Sequence, residues 1–149
     1  MGLAFADIEQ GREYPTYART VTEADLSTFL GFARMTLPLF NDDVYARTTA
    51  IGTRIAPGFM TCSMVAGMME GVLGRATLAG LGMDAIRFSA PVRIGDTIRA
   101  RILVAEKRAL SDGGRGIVTL DIKTFNQRDE LVLRFQAKVM LALQEPPLG

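Results

Sequence analysis

The sequence predicts an α+β domain in which an antiparallel sheet covers one long apolar helix. Helical patterns occupy the first half of the 149 residues, and alternating strand patterns separated by turns occupy the second half. Residues 59–73 are apolar on nearly every side, with Glu70 as their one charge, so protein must surround this helix. A sheet with one apolar face meets that need.

Two shorter helices precede the apolar one. Thr22 is a good N-cap, and Asp25 fits the third helical position of a capping box. Apolar residues then recur at helical spacing until Pro38 ends the pattern. Asp42, as N-cap or first-turn acid, begins a second short helix. Residues 54–58 form the loop that leads into the apolar helix.

A meander of strands follows. Strands are predicted over residues 85–90, 97–108, 116–127 and 131–143. The turns between them fall at residues 91–96, 111–116 and 127–130. No repeat or linker interrupts the chain, so we expect a single domain over residues 1–149. Because so short a chain cannot cover the apolar helix completely, we expect a homodimer or higher homo-oligomer.

Composition limits the partners. The chain has 17 basic and 16 acidic residues, scattered along its length, so neither nucleic acid nor an anionic membrane surface is an expected partner. The first residues are too short and too acidic for a leader, and no apolar run has transmembrane length, so a cytoplasmic location is expected. The single cysteine, Cys62, lies in the apolar helix and is expected in the core.

The absence of histidine is the most restrictive count. It excludes Ser-His-Asp and Cys-His catalysis, and it excludes metal sites with histidine ligands. Acid–base chemistry must therefore use Asp, Glu, Lys, Tyr, Cys or ordered water. No metal site and no cofactor is expected.

Several segments resemble the MaoC-like hydratase/dehydratase family. They are residues 19–25, residues 29–58, the apolar helix and residues 88–98, and the similarity continues to Leu143. The resemblance implies a hotdog fold, a curved antiparallel sheet wrapped around a long central helix. It also implies a thioester of coenzyme A or acyl-carrier protein as substrate, as in the similar (R)-specific enoyl-CoA hydratases.

The catalytic signature of that family is Asp-x-Asn-Pro-x-His, followed by His-Gly at the start of the central helix. Aligned without a gap, this chain keeps Pro38 but has Met35 at the Asp position and Phe40 at the His position. At the helix start, Pro57 replaces the His and Gly58 is kept. The resemblance thus implies a substrate site without the proton-carrying pair, formed by Met35, Phe40, Pro57 and Gly58.

Three functions remain open. The first is an acyl-thioester hydratase or dehydratase in which another side chain transfers the proton, the candidates being Asp42, Asp43, Tyr45 and Glu70. The second is a non-catalytic binder of acyl-CoA or another hydrophobic ligand, or the inactive half of a hetero-oligomer. The third is a hotdog thioesterase, which needs a carboxylate near the start of the central helix. Arginines that flank the two loops are candidates for phosphate contacts: Arg34, Arg47 and Arg54.

Overall fold

One antiparallel sheet packs against a 16-residue helix in the computed structural model, which describes residues 2–147. The helices are α1 (Glu23–Ala33), α2 (Pro38–Asn41), α3 (Asp43–Thr48) and α4 (Gly58–Leu73), the last followed by a 3₁₀ turn (Gly74–Ala76). The strands are β1 (Glu13–Pro15), β2 (Arg19–Thr20), β3 (Thr77–Phe88), β4 (Thr97–Ala109), β5 (Arg115–Phe125) and β6 (Leu131–Ala142). The sheet has the order β1-β4-β5-β6-β3, and β2 adds to β4.

The core lies between α4 and the inner face of the sheet. Val65 and Met68 of α4 are fully buried, as are Ile102 of β4 and Leu120 of β5. Each such side chain contributes about 1.5–3 kcal/mol through removal of its apolar surface from water. Cys62 belongs to this core as expected, and burial raises the pKa of its thiol.

One side of α4 faces outward in the single chain, so the expectation that protein surrounds this helix holds only in part. The exposed residues are Phe59, Ser63, Ala66, Gly67, Glu70 and Gly71. They lie three or four positions apart and therefore share one face of the helix. Most of them are small, which leaves a smooth surface.

The meander matches the predicted order, but β3 begins at Thr77, eight residues before the predicted start. Its pairing with β6 contains three register shifts, which interrupt the two-residue alternation by which a strand is recognised. Gly80 and Gly82 lie on either side of one of these shifts. Within residues 2–147 the strand pairs only with β6, so no described strand covers its other edge in the single chain.

The caps of the N-terminal helices agree with the sequence. Thr22 Oγ1 accepts a hydrogen bond from the Asp25 N–H at 3.1 Å, and Asp25 returns the contact by accepting from the Thr22 N–H at 3.0 Å. Asp42 caps α3 by accepting from the Tyr45 N–H at 2.9 Å. The prediction for Pro38 was wrong: α1 already ends at Ala33, and Pro38 opens α2, where its fixed φ suits a first helical turn.

We predict that Asp25→Asn lowers the free energy of unfolding by about 1 kcal/mol at pH 7, the usual size of a helix cap. The Thr22 N–H, together with Arg19, holds the pKa of Asp25 below its ordinary value of 3.8. The stabilisation is therefore complete above pH 3.8 and is lost as the pH falls through the lowered pKa.

Urea unfolding of both proteins between pH 7 and pH 2.5 measures this difference. The gap between wild type and Asp25→Asn should close only in acid. Glu106→Gln, at an exposed position of β4, is the control and should match wild type throughout. A gap that persists unchanged to the lowest pH contradicts the assignment.

Candidate active site

A cleft of about 410 Å³ opens where α2, the start of α4 and the end of β3 meet. Two of the four predicted substrate-binding residues, Phe40 and Gly58, line it together. The remaining lining comes from Leu39, Ile55, Ala56, Phe59, Thr61, residues 88–92 and Val132. The site signature at residues 35–40 and the start of the apolar helix therefore do converge, although they are separated by about twenty residues of sequence.

The other two predicted residues, Met35 and Pro57, are not among the residues that line the cleft. Met35 follows the end of α1, where its N–H donates to the Leu30 carbonyl at 3.1 Å, and its side chain is half-buried. Pro57 is buried at the N-cap of α4. Neither lines the cleft in the single chain, and their role toward a substrate stays a prediction.

The start of α4 has no side-chain cap, unlike the starts of α1 and α3. Pro57 has no side-chain acceptor, and within residues 2–147 no acceptor contacts the N–H groups of Gly58, Phe59 and Met60. The first N–H groups of a helix lack intrahelical partners and carry the positive end of the helix dipole. Because Gly58 and Phe59 line the cleft, these donors lie at its wall.

The loop before α4 is held in place from the sheet side. Ile55 forms a β-bridge with Arg93, and the Ala56 N–H donates to the Val92 carbonyl at 2.8 Å. The turn beyond Val92 is fixed by Asp96, which is buried and accepts from the Arg93 N–H at 2.8 Å. The helix start is thus attached to a rigid turn rather than to a free loop.

The cleft wall carries no acid and no base. Among the residues that line it, the polar side chains are the hydroxyls of Thr61 and Ser89. A hydroxyl alone does not act as a proton carrier near neutral pH, because its own pKa is far from the working range. The side chains that line the cleft of the single chain therefore do not supply a proton carrier.

The predicted proton carriers lie elsewhere. Asp42 caps α3, and Asp43 accepts from Arg54 Nε at 2.6 Å. Tyr45 is 47% exposed on α3. Glu70 lies twelve residues beyond Gly58, about 18 Å along the helix, and borders a second groove with Leu73 and Met83.

The three candidate phosphate-binding arginines differ in their contacts: Arg54 is paired with acids of the protein, whereas Arg34 and Arg47 are exposed. Arg54 donates to both carboxylate oxygens of Glu23, at 2.8 and 2.9 Å, and to Asp43. This guanidinium is thus engaged within the protein and joins α1 to α3. Arg34 and Arg47 are exposed, and Arg34 ends α1 in the left-handed conformation with a φ of 51°.

Two aromatic residues of the cleft were not identified from sequence. Phe59 and Phe88 pack edge to face, with ring centroids 6.2 Å apart. Phe59 was assigned to a buried helix, yet it is 60% exposed at the cleft. Phe88 belongs to the segment that carried the family resemblance. Its position just before the turn at residues 91–96 was the one signal of a role in the site.

Comparison with known proteins agrees with this geometry. Residues 6–125 match the MaoC like domain family. The chain is 38% identical over 112 residues to an (R)-specific enoyl-CoA hydratase of Rhodospirillum rubrum, covering 70% of this chain and 74% of that protein. It is 32% identical over 103 residues to Protein MaoC of Klebsiella aerogenes, covering 69% of this chain but only 31% of that longer protein.

Solved structures give the fold. The R-hydratase PhaJ1 of Pseudomonas aeruginosa superposes with a TM-score of 0.79 at 28% identity, covering 99% of this chain and 94% of that one. RV0216 of Mycobacterium tuberculosis, which has a double hotdog fold, superposes with a TM-score of 0.84 at 23% identity, covering 99% of this chain and 46% of that one. The sheet around α4 is thus a hotdog fold, and the chain belongs to the MaoC-like hydratase/dehydratase family.

Proposed function

We propose that this protein binds an acyl thioester in the cleft and polarises its carbonyl with the N-terminal N–H groups of α4. The observation that carries the proposal is the uncapped start of α4 at the wall of the cleft. Thr22 and Asp42 each accept a hydrogen bond from one N–H group at the starts of α1 and α3, whereas no side chain caps α4 or the four-residue α2. A carbonyl oxygen is the natural acceptor for such donors.

The mostly apolar lining of the cleft suits the acyl chain of a thioester. The lining is dominated by side chains such as Phe40, Ile55 and Val132, which favour an acyl chain over a charged ligand. A CoA or acyl-carrier-protein thioester has an apolar chain and one polar carbonyl. That distribution fits an apolar wall that opens on backbone donors.

Turnover by the usual family mechanism needs a proton carrier that the cleft lacks. Hydration of an enoyl thioester adds the oxygen of water at C3 and a proton at C2, so a base and an acid are required. Loss of general acid–base catalysis costs about 10²–10⁴-fold in rate. With Met35 and Phe40 at the positions of the pair, we propose a binding protein of the hydratase/dehydratase class rather than an efficient hydratase.

The ring of Phe88 packs against the backbone of Gly58 at the start of α4. A methyl group built on the Cα of Gly58 would lie 2.5 Å from two carbons of this ring, closer than nonbonded carbons approach. Glycine at position 58 therefore allows the ring to rest on the helix backbone. Phe88 is 52% exposed, so its ring can move when a ligand enters.

We predict that Gly58→Ala destabilises the protein by about 1–3 kcal/mol, because overpacking forces the Phe88 ring out of its position. The same substitution in a Phe88→Ala background should be neutral or slightly stabilising, since alanine favours a helix over glycine. Urea unfolding of the double-mutant cycle measures the coupling.

Gly31→Ala is the matched control, because no atom lies within 4 Å of the added methyl group on α1. It should be neutral or stabilising in both backgrounds. An equal cost of Gly58→Ala with and without the Phe88 ring would show that the ring is not the cause.

We predict that wild type binds crotonyl-CoA but hydrates it about 10²–10⁴-fold more slowly than an enzyme that has the pair, because acid–base catalysis is lost while backbone polarisation remains. Binding is followed by isothermal titration, and hydration is followed by the loss of enoyl absorbance. From the family resemblance, Met35→Asp combined with Phe40→His should raise the hydration rate, because it restores the pair.

The matched control places the same two groups at exposed positions, as Thr36→Asp combined with Phe32→His. This variant should bind like wild type without gaining activity. Rapid hydration by wild type would contradict the assignment as a binder and direct attention to Asp42, Asp43 and Glu70. Absence of crotonyl-CoA binding in every protein would contradict the thioester ligand itself.

A second copy of the chain is the proposed cover for the open surfaces. The free edge of β3 presents Leu78 and Leu81, each about half exposed, beside the smooth exposed face of α4. Long open edge strands with apolar side chains favour pairing with another strand. The double hotdog fold of RV0216 supports a pairing of two such units.

We predict that wild type sediments as a homodimer or larger oligomer and that Leu78→Glu with Leu81→Glu shifts it to monomer. Two charges on the edge add repulsion between copies and remove apolar contact. Sedimentation velocity over a concentration series measures the change. Phe32→Glu with Val44→Glu, at exposed sites on other elements, should leave the oligomer intact. A monomeric wild type at all concentrations contradicts the proposal.

A further inference from the structure

Four cationic side chains lie side by side across the outer face of the sheet, the face turned away from α4. The register pairs Arg101 with Lys123, Lys123 with Arg134, and Arg134 with Arg87. They belong to β4, β5, β6 and β3 in the order of the sheet. We call this row the basic ladder.

The basic ladder has an energetic cost. Directly opposite side chains on antiparallel strands are about 4.5–5.5 Å apart at Cβ, and like charges at this spacing destabilise the sheet. Among residues 2–147, only Arg101 has an acid within ion-pair distance, Glu13 at 3.8 Å. Lys123, Arg134 and Arg87 thus differ from arginines at the ends of β4 and β5, since Arg99 pairs with Asp129 and Arg115 pairs with Asp112.

The four cations line one depression of about 430 Å³. Glu13 and Asp121 also line it, and Asp121 accepts from Gln136 Nε2 at 2.9 Å. These two acids lie on one side of the ladder and repel anions placed over them. A ligand with its negative charges in a single narrow row therefore fits better than a broad polyanion such as a nucleic acid duplex.

We propose that the basic ladder is a docking site for the acidic face of a helix in a partner protein. Carboxylates at positions i, i+4, i+7 and i+11 of a helix lie on one face and span about 16 Å. Four neighbouring strands span about 14 Å. A row of carboxylates thus matches the row of cations in length and in number. The site lies on the opposite face of the sheet from α4, and the proposal does not depend on the thioester ligand.

The test uses a fluorescent, stapled, alanine-based helical peptide with Glu at positions 1, 5, 8 and 12. Anisotropy at 50 and 200 mM NaCl should show binding by wild type that weakens with salt. Lys123→Gln combined with Arg134→Gln should weaken binding about tenfold. This is the loss expected when two exposed ion pairs, each near the upper end of the usual range of strength, are removed. The same variant should melt about 1–3 °C higher, because the like-charge pairs are gone.

A loss of binding with a gain in stability cannot come from misfolding. Arg108→Gln combined with Lys138→Gln removes two other exposed charges from the sheet and should change binding less than twofold. Equal loss in both variants overturns the proposal, as does equal binding of a peptide with its four Glu residues spread around the helix. Stronger binding of a dT12 oligonucleotide or of inorganic triphosphate at the ladder also overturns it, in favour of a phosphate ligand.

Discussion

The burial of α4 by the sheet is the interaction on which the other features depend. Met60, Val65 and Met68 need cover along the helix, and alternate residues of β4, β5 and β6 supply it. The sheet can cover only one side of a helix, so the opposite face remains open in the single chain. The fold therefore produces two surfaces that require explanation, the exposed face of α4 and the open edge of β3.

The start of the same helix explains how the cleft can hold polar groups without reactive side chains. The first N–H groups of a helix have no intrahelical partner. Pro57 has no acceptor in its side chain that could receive them. These backbone donors do not depend on which side chains stand at positions 35 and 40.

Local chemistry was sufficient to predict several elements of the fold. Thr22 with Asp25 and Asp42 were identified as caps because capping requires only residues three positions apart. The start of β3 was missed, because its register shifts disturb the alternation over residues 77–87. The three-residue strand β1 is too short for any periodic pattern, and it exists because Tyr14 pairs with Ile102, 88 positions later in the sequence.

The site was predictable only where the resemblance supplied it. Phe40 and Gly58 were named from the family signature, and the structure brings both to one cleft. The contact of the Phe88 ring with Gly58 depends on how β3 ends beside α4, which no local pattern encodes. The pairing of Arg54 with Glu23 likewise requires two helices to meet.

The two faces of the sheet are under different constraints. The inner face must pack against α4, and the outer face, which carries the basic ladder, has no such requirement. On the inner face, apolar residues such as Ile102, Ile122 and Phe135 are dictated by the need to cover α4. On the outer face no packing requirement chooses the side chain, and mixed charges would be the more stable solution. A row of like charges that crosses four strands is unfavourable for the fold itself. The acidic helix that we propose as its ligand would offset this cost, just as the proposed thioester would accept from the uncapped start of α4.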